Sequence, residues 1–475
     1  MNDRYDVIIV GAGPAGIMCA YELAEKNRNL KILLVDKGKD IYHRNCPIID
    51  KKIKKCPVQM NGQIGCLPYC SITNGFGGAG AYSDGKFNIT SEYGGWMNEY
   101  LEDDTILELI NYADSINLKF GAPKELTDPT TQQVKEIEKR GLAVGLKLLR
   151  GKIRHLGTEV NLQILKNIFE YLKDKIDMYY QTEVKNIIVE NDIVKGIILD
   201  ENKKVYSDFV VITPGRDGSY WLSNLSIEHN IIMKSNHVDI GVRVETNNEI
   251  MEEINENLYE GKFIYRTQVG STVRTFCSNP KGHVVIENHS GTMLANGHAY
   301  KDSNKGSKNT NFALLVSHRF TEPFNQPNEF AHGVSRLANM LSNGSIIVQR
   351  FGDLEKGRRS TVKRINEGFV TPTLKEAIPG DLGLVLPYKT MKSIIEMIRA
   401  LDNITPGVAS EHTLLYGVEA KFYSARPEVN NKFESKINGL YFGGDGAGIT
   451  RGLAQANANG IWIARDILLR STNKL

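Results

Sequence analysis

The sequence predicts an α/β protein: a parallel-sheet domain assembled from separated stretches of chain, with an α+β domain of largely antiparallel sheet inserted into it. Three observations predict it. Residues 5–36 read as strand, glycine turn, helix, strand. Apolar strands that stop in glycine turns recur at Asp208–Gly215 and Gly439–Gly448, far along the chain. Between them, from about residue 232, the pattern changes to short alternating segments such as Val238–Val244, Arg274–Cys277, His283–Glu287 and Phe312–Val316, the mark of antiparallel sheet.

The first stretch, YDVIIVGAGPAGIMCAYELAEKNRNLKILLVD, is the most specific. A buried strand, Tyr5–Val10, runs into Gly11-Ala12-Gly13-Pro14-Ala15-Gly16. Gly11 permits the tight turn, Gly13 lets backbone approach a pyrophosphate, and Gly16 lets the helix pack close on the strand. The helix opening at Pro14 and Ala15 aims free N–H groups and its positive dipole end at the phosphates. A second strand, Ile32–Val35, ends in Asp36, where a carboxylate can accept hydrogen bonds from a ribose hydroxyl. Strand, glycines, helix, second strand and acid in register predict a Rossmann-like dinucleotide fold; an ordinary α/β turn is the competing structural reading. The acid at Asp36, with no arginine beside it, favours FAD or NAD over NADP.

After Asp36 and Lys37 periodicity is lost, and residues 38–75 read as an irregular excursion. A glycine-rich stretch follows, Asn74 to Lys86. Residues 97–120, 131–150 and 158–174 carry helical spacing of apolar residues. Lys185–Val189 and Ile193–Leu199 read as a hairpin, leading to the strand that stops at Thr213-Pro214-Gly215. Stretches 327–342 and 389–401 read as helices, 302–309 as a surface loop, and 451–470 as a final helix.

Bulk numbers bound the function classes. A chain of 475 residues, 41% hydrophobic and 24% charged, is ordinary for a soluble globular protein of two or three domains. A net charge of +3 predicts no general affinity for nucleic acid or membrane. No apolar run reaches the ~18 residues of a membrane span. Met1-Asn2-Asp3-Arg4 leads directly into the first strand, so no signal peptide is expected and the cytoplasm is the expected location.

Two other glycine clusters compete with the first. Gly75-Phe76-Gly77-Gly78-Ala79-Gly80 fits GxGxxG, but lacks a buried strand before it and a helix with a downstream acid after it. Gly443–Gly448 follows a good strand with different spacing. The reading is one dinucleotide fold with two accessory turns and no dedicated NAD(P)H domain. In its N-terminal βαβ, Asp36-Lys37-Gly38, Thr182-Glu183-Val184, Thr213-Pro214-Gly215 and Gly443-Gly444-Asp445, the chain resembles the two-dinucleotide-binding-domain flavoproteins similar to glutathione reductase. That resemblance implies FAD, and since no segment singles out a His or Cys as an attachment point, the FAD is expected to be non-covalent. It implies that Val184 meets adenine through its backbone, that the Thr213 turn approaches the pyrophosphate, and that Asp445 binds the ribityl chain. It also implies that the start of the last helix faces the flavin's pyrimidine end. A narrower resemblance, carried by GFGGAGAYSDGK, VDIGVRVE, RTFC, NGHAY, TNFALLVS and GLYFGGDGAG, is to a poorly characterised family of bacterial and archaeal FAD-dependent dehydrogenases. The chain departs from it at Glu419–Arg426, where an Arg-Thr-Ser-Ser-type run is expected.

The expected cofactor-binding residues are Gly11, Gly13, Pro14, Ala15, Gly16, Asp36, Lys37, Gly77, Gly78, Ser83, Asp84, Gly85, Lys86, Val184, Thr213, Pro214, Gly215, Gly444, Asp445, Gly446, Arg451 and Gly452. Lys86 is read as a countercharge to pyrophosphate or reduced flavin, against a surface lysine after a turn. Arg451 is read as a cation opening the last helix, able to grip a carboxylate substrate, against a solvated arginine. His298 is the candidate proton donor or acceptor, with Glu287 as a weaker one, against exposed or structural side chains. Cys46, Cys56, Cys66 and Cys70 offer four thiolates, the count for an iron–sulfur cluster or structural zinc, against a redox dithiol or unpaired buried thiols.

The expected organisation is a discontinuous FAD domain at 1–90, 155–225 and 427–475, a helical segment at 91–154 and a substrate domain at 230–426. The expected function is an FAD-dependent oxidoreductase that moves hydride between flavin N5 and a small organic substrate, exchanging electrons with NAD(P)H or a redox protein. Two alternatives remain at this level: an RNA-modifying flavoenzyme, and a flavin/iron–sulfur electron-transfer protein.

Overall fold

The computed structural model describes residues 1–47, 52, 69–83, 85–258, 261–289, 291–299 and 306–472. They divide into two compact units, one of residues 1–127, 151–234 and 424–475, the other of residues 128–150 and 235–423. The stretch 91–154 is therefore shared between them.

The first unit is built on a seven-stranded sheet. The first strand, Arg4–Val10, is flanked in parallel by Ile32–Val35 on one side and Lys204–Ile212 on the other. Asp177–Tyr179 extends the sheet beyond Ile32–Val35. Leu440–Phe442 pairs in parallel with the far end of Lys204–Ile212, and the antiparallel hairpin Val184–Glu190/Ile193–Leu199 attaches to its near end. Val7, Ile8, Ile9 and Leu33 to Val35 are all fully buried, as continuous apolar parallel strands must be. The first helix, Pro14–Lys26, packs against the last helix, Leu453–Thr472. The packing is at backbone distance: a Cβ on Gly460 would lie 2.0 Å from the Ala15 carbonyl oxygen. The small antiparallel pair Lys86–Ile89/Lys152–His155 is bolted down by Arg154, buried in a two-pronged ion pair with Asp114 at 2.6 and 2.7 Å.

The second unit is an eight-stranded, mostly antiparallel sheet centred on Val238–Asn247 between Asn309–His318 and Leu414–Lys421. Val238, Ile240, Val242 and Val244 face one core with Phe312, Leu314, Met397 and Leu401. The residues between them, Asp239, Arg243 and Glu245, are buried as well, so this strand is polar on a face that water does not reach. The hairpin His283–His289/Thr292–His298 forms its own two-stranded sheet.

The helical spacing at 131–150 resolves differently from expectation. The helix stops at Ala143, Gly145 turns at φ +80°, and Leu146–Leu148 becomes an edge strand against Phe263–Tyr265. Leu146 and Leu148 are buried and Lys147 exposed, a period of two that three residues are too few to reveal beside a helix. The stretch at 97–120 begins as a single 3₁₀ turn and is helical from Asp103 to Lys119.

Candidate cofactor site

Three glycine turns of the first unit converge on the start of the first helix. Gly11 leaves the strand at φ +102°, and a Cβ there would lie 2.1 Å from the Thr213 carbonyl oxygen. A Cβ on Gly16 would lie 2.0 Å from the Gly11 carbonyl oxygen. Both glycines are demanded by the protein's own packing. Thr213 closes the junction, its hydroxyl donating towards the carbonyls of Val10 (3.1 Å) and Gly11 (2.9 Å).

Gly13 is different. Among the described residues, its chain neighbours aside, no atom lies within 4 Å of where its Cβ would be, and the same holds for Gly215. At Gly444 the nearest atom is the Ala15 methyl, at 3.6 Å. Gly13 precedes Pro14 at the opening of a 13-residue helix with no side-chain cap. A helix start with free N–H groups, facing space that the protein leaves open, is chemically suited to a diphosphate. The residues present fit the adenine-dinucleotide group the sequence implies.

Asp36 is a hub for three backbone amides. Its Oδ2 accepts from Ala12 (2.8 Å), and its Oδ1 from Gly38 (2.7 Å) and Gly75 (2.9 Å). A carboxylate has about four acceptor positions, so capacity for a ribose hydroxyl remains. Thr182 N–H donates to the Asp36 carbonyl (3.1 Å), tethering the approach to buried Val184, which opens the hairpin opposite Leu199. Tyr180, half-buried near Asp36 and Asp40, has its hydroxyl pushed far up by desolvation. Lys37 is turned to Asp217 (2.7 Å) and stacks over the Tyr69 ring.

The second glycine cluster, which fails as an independent fingerprint, is laid onto the first. Gly77 N–H donates to the Ala12 carbonyl (2.8 Å), and a Cβ on Gly78 would lie 3.1 Å from the Gly13 Cα. Gly77 and Gly78 have φ of +89° and +53°, which bends the chain into a short 3₁₀ turn, Gly78–Tyr82. Ser83 Oγ donates to Gly80 (2.8 Å) and accepts from Gly85 N–H (3.2 Å). Lys86 follows, half-buried, opposite His155. Asp84 lies outside the described residues.

The third turn, Gly443–Gly448, closes on the Thr213-Pro214-Gly215 turn. A Cβ on Gly446 would lie 2.0 Å from the Gly215 carbonyl oxygen. Gly444 N–H donates to the buried Asn459 side chain (2.9 Å). Asp445 accepts from the Thr450 hydroxyl (2.7 Å), with Arg216 at 3.9 Å. Arg451 N–H donates to Gly94 (2.7 Å), Trp96 N–H to Ile449 (2.8 Å), and Gly452 lies beside Gly94. The strap Tyr93-Gly94-Gly95-Trp96 thus braces the start of the last helix. Sequence reasoning missed this strap, although its glycine doublet signalled a turn. It also missed Asn459 and Gly460, whose role depends on a helix pairing that no local pattern shows, and the buried Arg44.

The remaining candidates sit in the second unit. His298 is exposed, opposite His283 at the end of the hairpin. Glu287 is exposed and accepts from Asn296 (2.5 Å); its register partner is Leu294, four positions from the His283/His298 pair. The two side chains are not brought together. Asn296 instead leads inward, accepting from Arg243 (3.2 Å). Arg243 and Glu419 form a fully buried two-pronged pair at 2.8 and 3.0 Å. The remaining donors of Arg243 go to the Cys277 carbonyl (3.0 Å) and Asn311 (3.3 Å). Gly297 is required above it, since a Cβ there would lie 2.7 Å from the Arg243 guanidinium. The NGH motif is thus explained by the packing of its glycine.

Of the four clustered cysteines, Cys46 and Cys70 are described and half-buried, while Cys56 and Cys66 lie outside the described residues. Among the described residues no three His, Cys, Asp or Glu side chains are grouped to hold a metal. Nor is any helix of the described residues long and apolar enough to cross a membrane.

Residues 5–62 match the family model for pyridine nucleotide-disulphide oxidoreductases, and residues 237–422 that of the FAD-dependent protein, C-terminal domain-like, family. The chain is an FAD-dependent oxidoreductase. Among its relatives is an uncharacterized protein of Clostridium beijerinckii, 27% identical over 97% of this chain and 80% of that one. The tRNA uridine 5-carboxymethylaminomethyl modification enzyme MnmG of Ureaplasma urealyticum is 23% identical, over 99% of this oxidoreductase and 64% of the enzyme's own length. Among solved structures, an Escherichia coli quinol fumarate reductase FrdA chain aligns with 99% of this oxidoreductase and 71% of its own length, at 13% identity and a TM-score of 0.42. The weak likeness to MnmG does not favour the RNA-modifying alternative.

Proposed function

We propose that this oxidoreductase holds FAD non-covalently in the first unit and acts on a small organic substrate bound by residues of the second. Bound FAD supplies hydride transfer to or from a C–C, C–N or C–O bond. The observation that carries this reading is the open space at Gly13 and Gly215 beside a bare helix start. Gly11, Gly16, Gly446 and Gly460 are accounted for by close backbone contacts, and Gly13 is not.

Each group has a definite task. The Gly11–Gly16 turn binds the diphosphate through its amides, and Asp36 takes the ribose while holding Ala12, Gly38 and Gly75. Asp445, steadied by Thr450, takes the ribityl chain. Arg451, held at the start of the last helix by the Gly94 strap, places a cation for the flavin or for a carboxylate of the substrate. The chain carries one strand-led glycine fingerprint, so nicotinamide or a redox protein serves as an external electron partner.

Anaerobic titration of the flavin-loaded protein tests this. NADH, NADPH and reduced ferredoxin are added in turn and flavin bleaching near 450 nm is followed. Bleaching by one of them supports the reading; a chain that neither retains nor takes up FAD refutes it. Iron and acid-labile sulfide measured on the same sample decide whether Cys46, Cys56, Cys66 and Cys70 house a cluster.

A further inference from the structure

Arg44 is only 4% exposed, and among the described residues its guanidinium donates to carbonyl oxygens alone. Nε donates to Ser71 (2.9 Å), Nη1 to Phe76 (2.5 Å), and Nη2 to Ile72 (2.9 Å) and Gly78 (2.8 Å). The Tyr82 ring lies 5.0 Å from it, and the Tyr82 hydroxyl donates back to the Arg44 carbonyl (2.6 Å). Among the described residues no carboxylate forms an ion pair with it; Asp36 acts on it only at longer range. Burial pulls its pKa below the ordinary arginine value. A buried cation matched only by neutral dipoles recovers part of its desolvation cost and no more.

The segment it gathers is the one laid on the first glycine turn. Arg44 takes the carbonyl side of residues 71–78, and Asp36 takes the amide side through Gly75. The two hubs therefore act on peptides of the same segment from opposite signs of charge. Between them, Gly77 donates to Ala12 and Gly78 abuts Gly13, the residue facing open space. The carbonyl of Gly78 itself is bonded to Arg44, so the cation stands one residue behind that space.

We infer that Arg44 is a positioning residue for the diphosphate of the cofactor: it presses the 71–78 segment onto Gly13 and leaves positive charge behind the cradle, which the diphosphate neutralises. The inference rests on the FAD reading above. It also gives the second glycine cluster a function, as the strap through which a buried charge reaches the cofactor.

The test uses the full chain, stripped of flavin and titrated with FAD, for wild type, R44Q and R44K, with the melting midpoint of each flavin-free protein measured alongside. R44Q is expected to weaken FAD at least about tenfold while its flavin-free midpoint moves by only a few degrees, about the shift of 1 kcal/mol. R44K, which keeps the charge and cannot reach four carbonyls, is expected to fall between wild type and R44Q. Raising salt from ~0.05 to ~0.5 M is expected to weaken FAD more for wild type than for R44Q. An FAD constant for R44Q within about twofold of wild type overturns the inference. So does a collapse of its flavin-free midpoint with unchanged affinity of the folded fraction, which is the signature of a merely structural arginine. If R44Q does not fold, R44K decides: affinity equal to wild type overturns the inference. Failure of wild type itself to bind FAD would strike the FAD reading instead.

Discussion

The Asp36 carboxylate accepts a hydrogen bond from the Gly75 amide at 2.9 Å, 39 residues further along the chain. With the Ala12 and Gly38 amides on the same carboxylate, this one side chain fastens the first glycine turn, the end of the second strand and the second glycine cluster together. An acid placed for a ribose is thus also the knot of the protein around it.

Asp36→Asn should therefore do two things at once. Replacing one oxygen with an NH₂ group sets a donor against one or two amide donors, at a cost of about 1–3 kcal/mol. Urea unfolding of the flavin-free chain should show that loss, and FAD titration should show a weakening beyond it. Loss of FAD affinity with unchanged unfolding would mean that the three amides are satisfied some other way.

Glycines that look alike in the motif should separate cleanly. Gly13→Ala adds a methyl to open space, so the flavin-free protein should keep its stability within about 1 kcal/mol while FAD binding falls steeply. Gly460→Ala places a methyl 2.0 Å from a carbonyl oxygen, and should cost about 1–3 kcal/mol of stability through forced separation of two helices. Melting of both flavin-free variants, followed by FAD titration, checks the contrast.

The Arg243–Glu419 pair should matter for the integrity of the second unit. Arg243→Met leaves Glu419 buried with Lys421 at 3.1 Å as its remaining cation. A loss of about 3 kcal/mol is expected, the low end for a broken buried pair. Chemical denaturation read by tryptophan-independent far-ultraviolet dichroism measures it. A change below about 1 kcal/mol would contradict the burial argument.

Acid should weaken the second unit through His318. Burial holds its imidazole below the ordinary value, with Asp239 opposing and Lys389 reinforcing the shift; its Nε2 meets the Thr390 hydroxyl at 3.1 Å. The unfolded chain takes up the proton below about pH 6.5, and the fold does so only at lower pH. The unfolded state binds more protons in that window, so stability is full above ~6.5 and falls as pH drops towards ~5. His318→Gln should flatten this slope, leaving the part due to His332, whose value burial also lowers. Urea midpoints at four or five pH values measure it.

What the sequence made legible follows from how local each feature is. The strand, turn, helix and acid of residues 5–36 are spelled within one stretch, and the structure forms them there. The antiparallel strand at Val238–Asn247 was visible as alternation, but alternation does not show that its polar Asp239, Arg243 and Glu245 are buried. Their partners Tyr423, Glu419 and Tyr416 lie more than 170 residues away, beyond any window of pattern. Arg44 carried no signal at all, because its four acceptors are backbone carbonyls, which every residue has. The edge strand Leu146–Leu148 was absorbed into a helix because three residues fit either period. Of the site, the turns could be read, and the way they are stacked on one another could not.

The central claim is a resident, non-covalent FAD at the Gly13 cradle. The most direct measurement is the absorbance spectrum of the purified full chain, with the flavin released by denaturation identified and counted beside that of the Gly13→Ala variant. The account predicts ~1 FAD per wild-type chain, all of it free in the supernatant, and little in the variant. A wild-type chain that carries no flavin and takes up none from excess FAD, or a Gly13→Ala variant that holds FAD as wild type does, would contradict it.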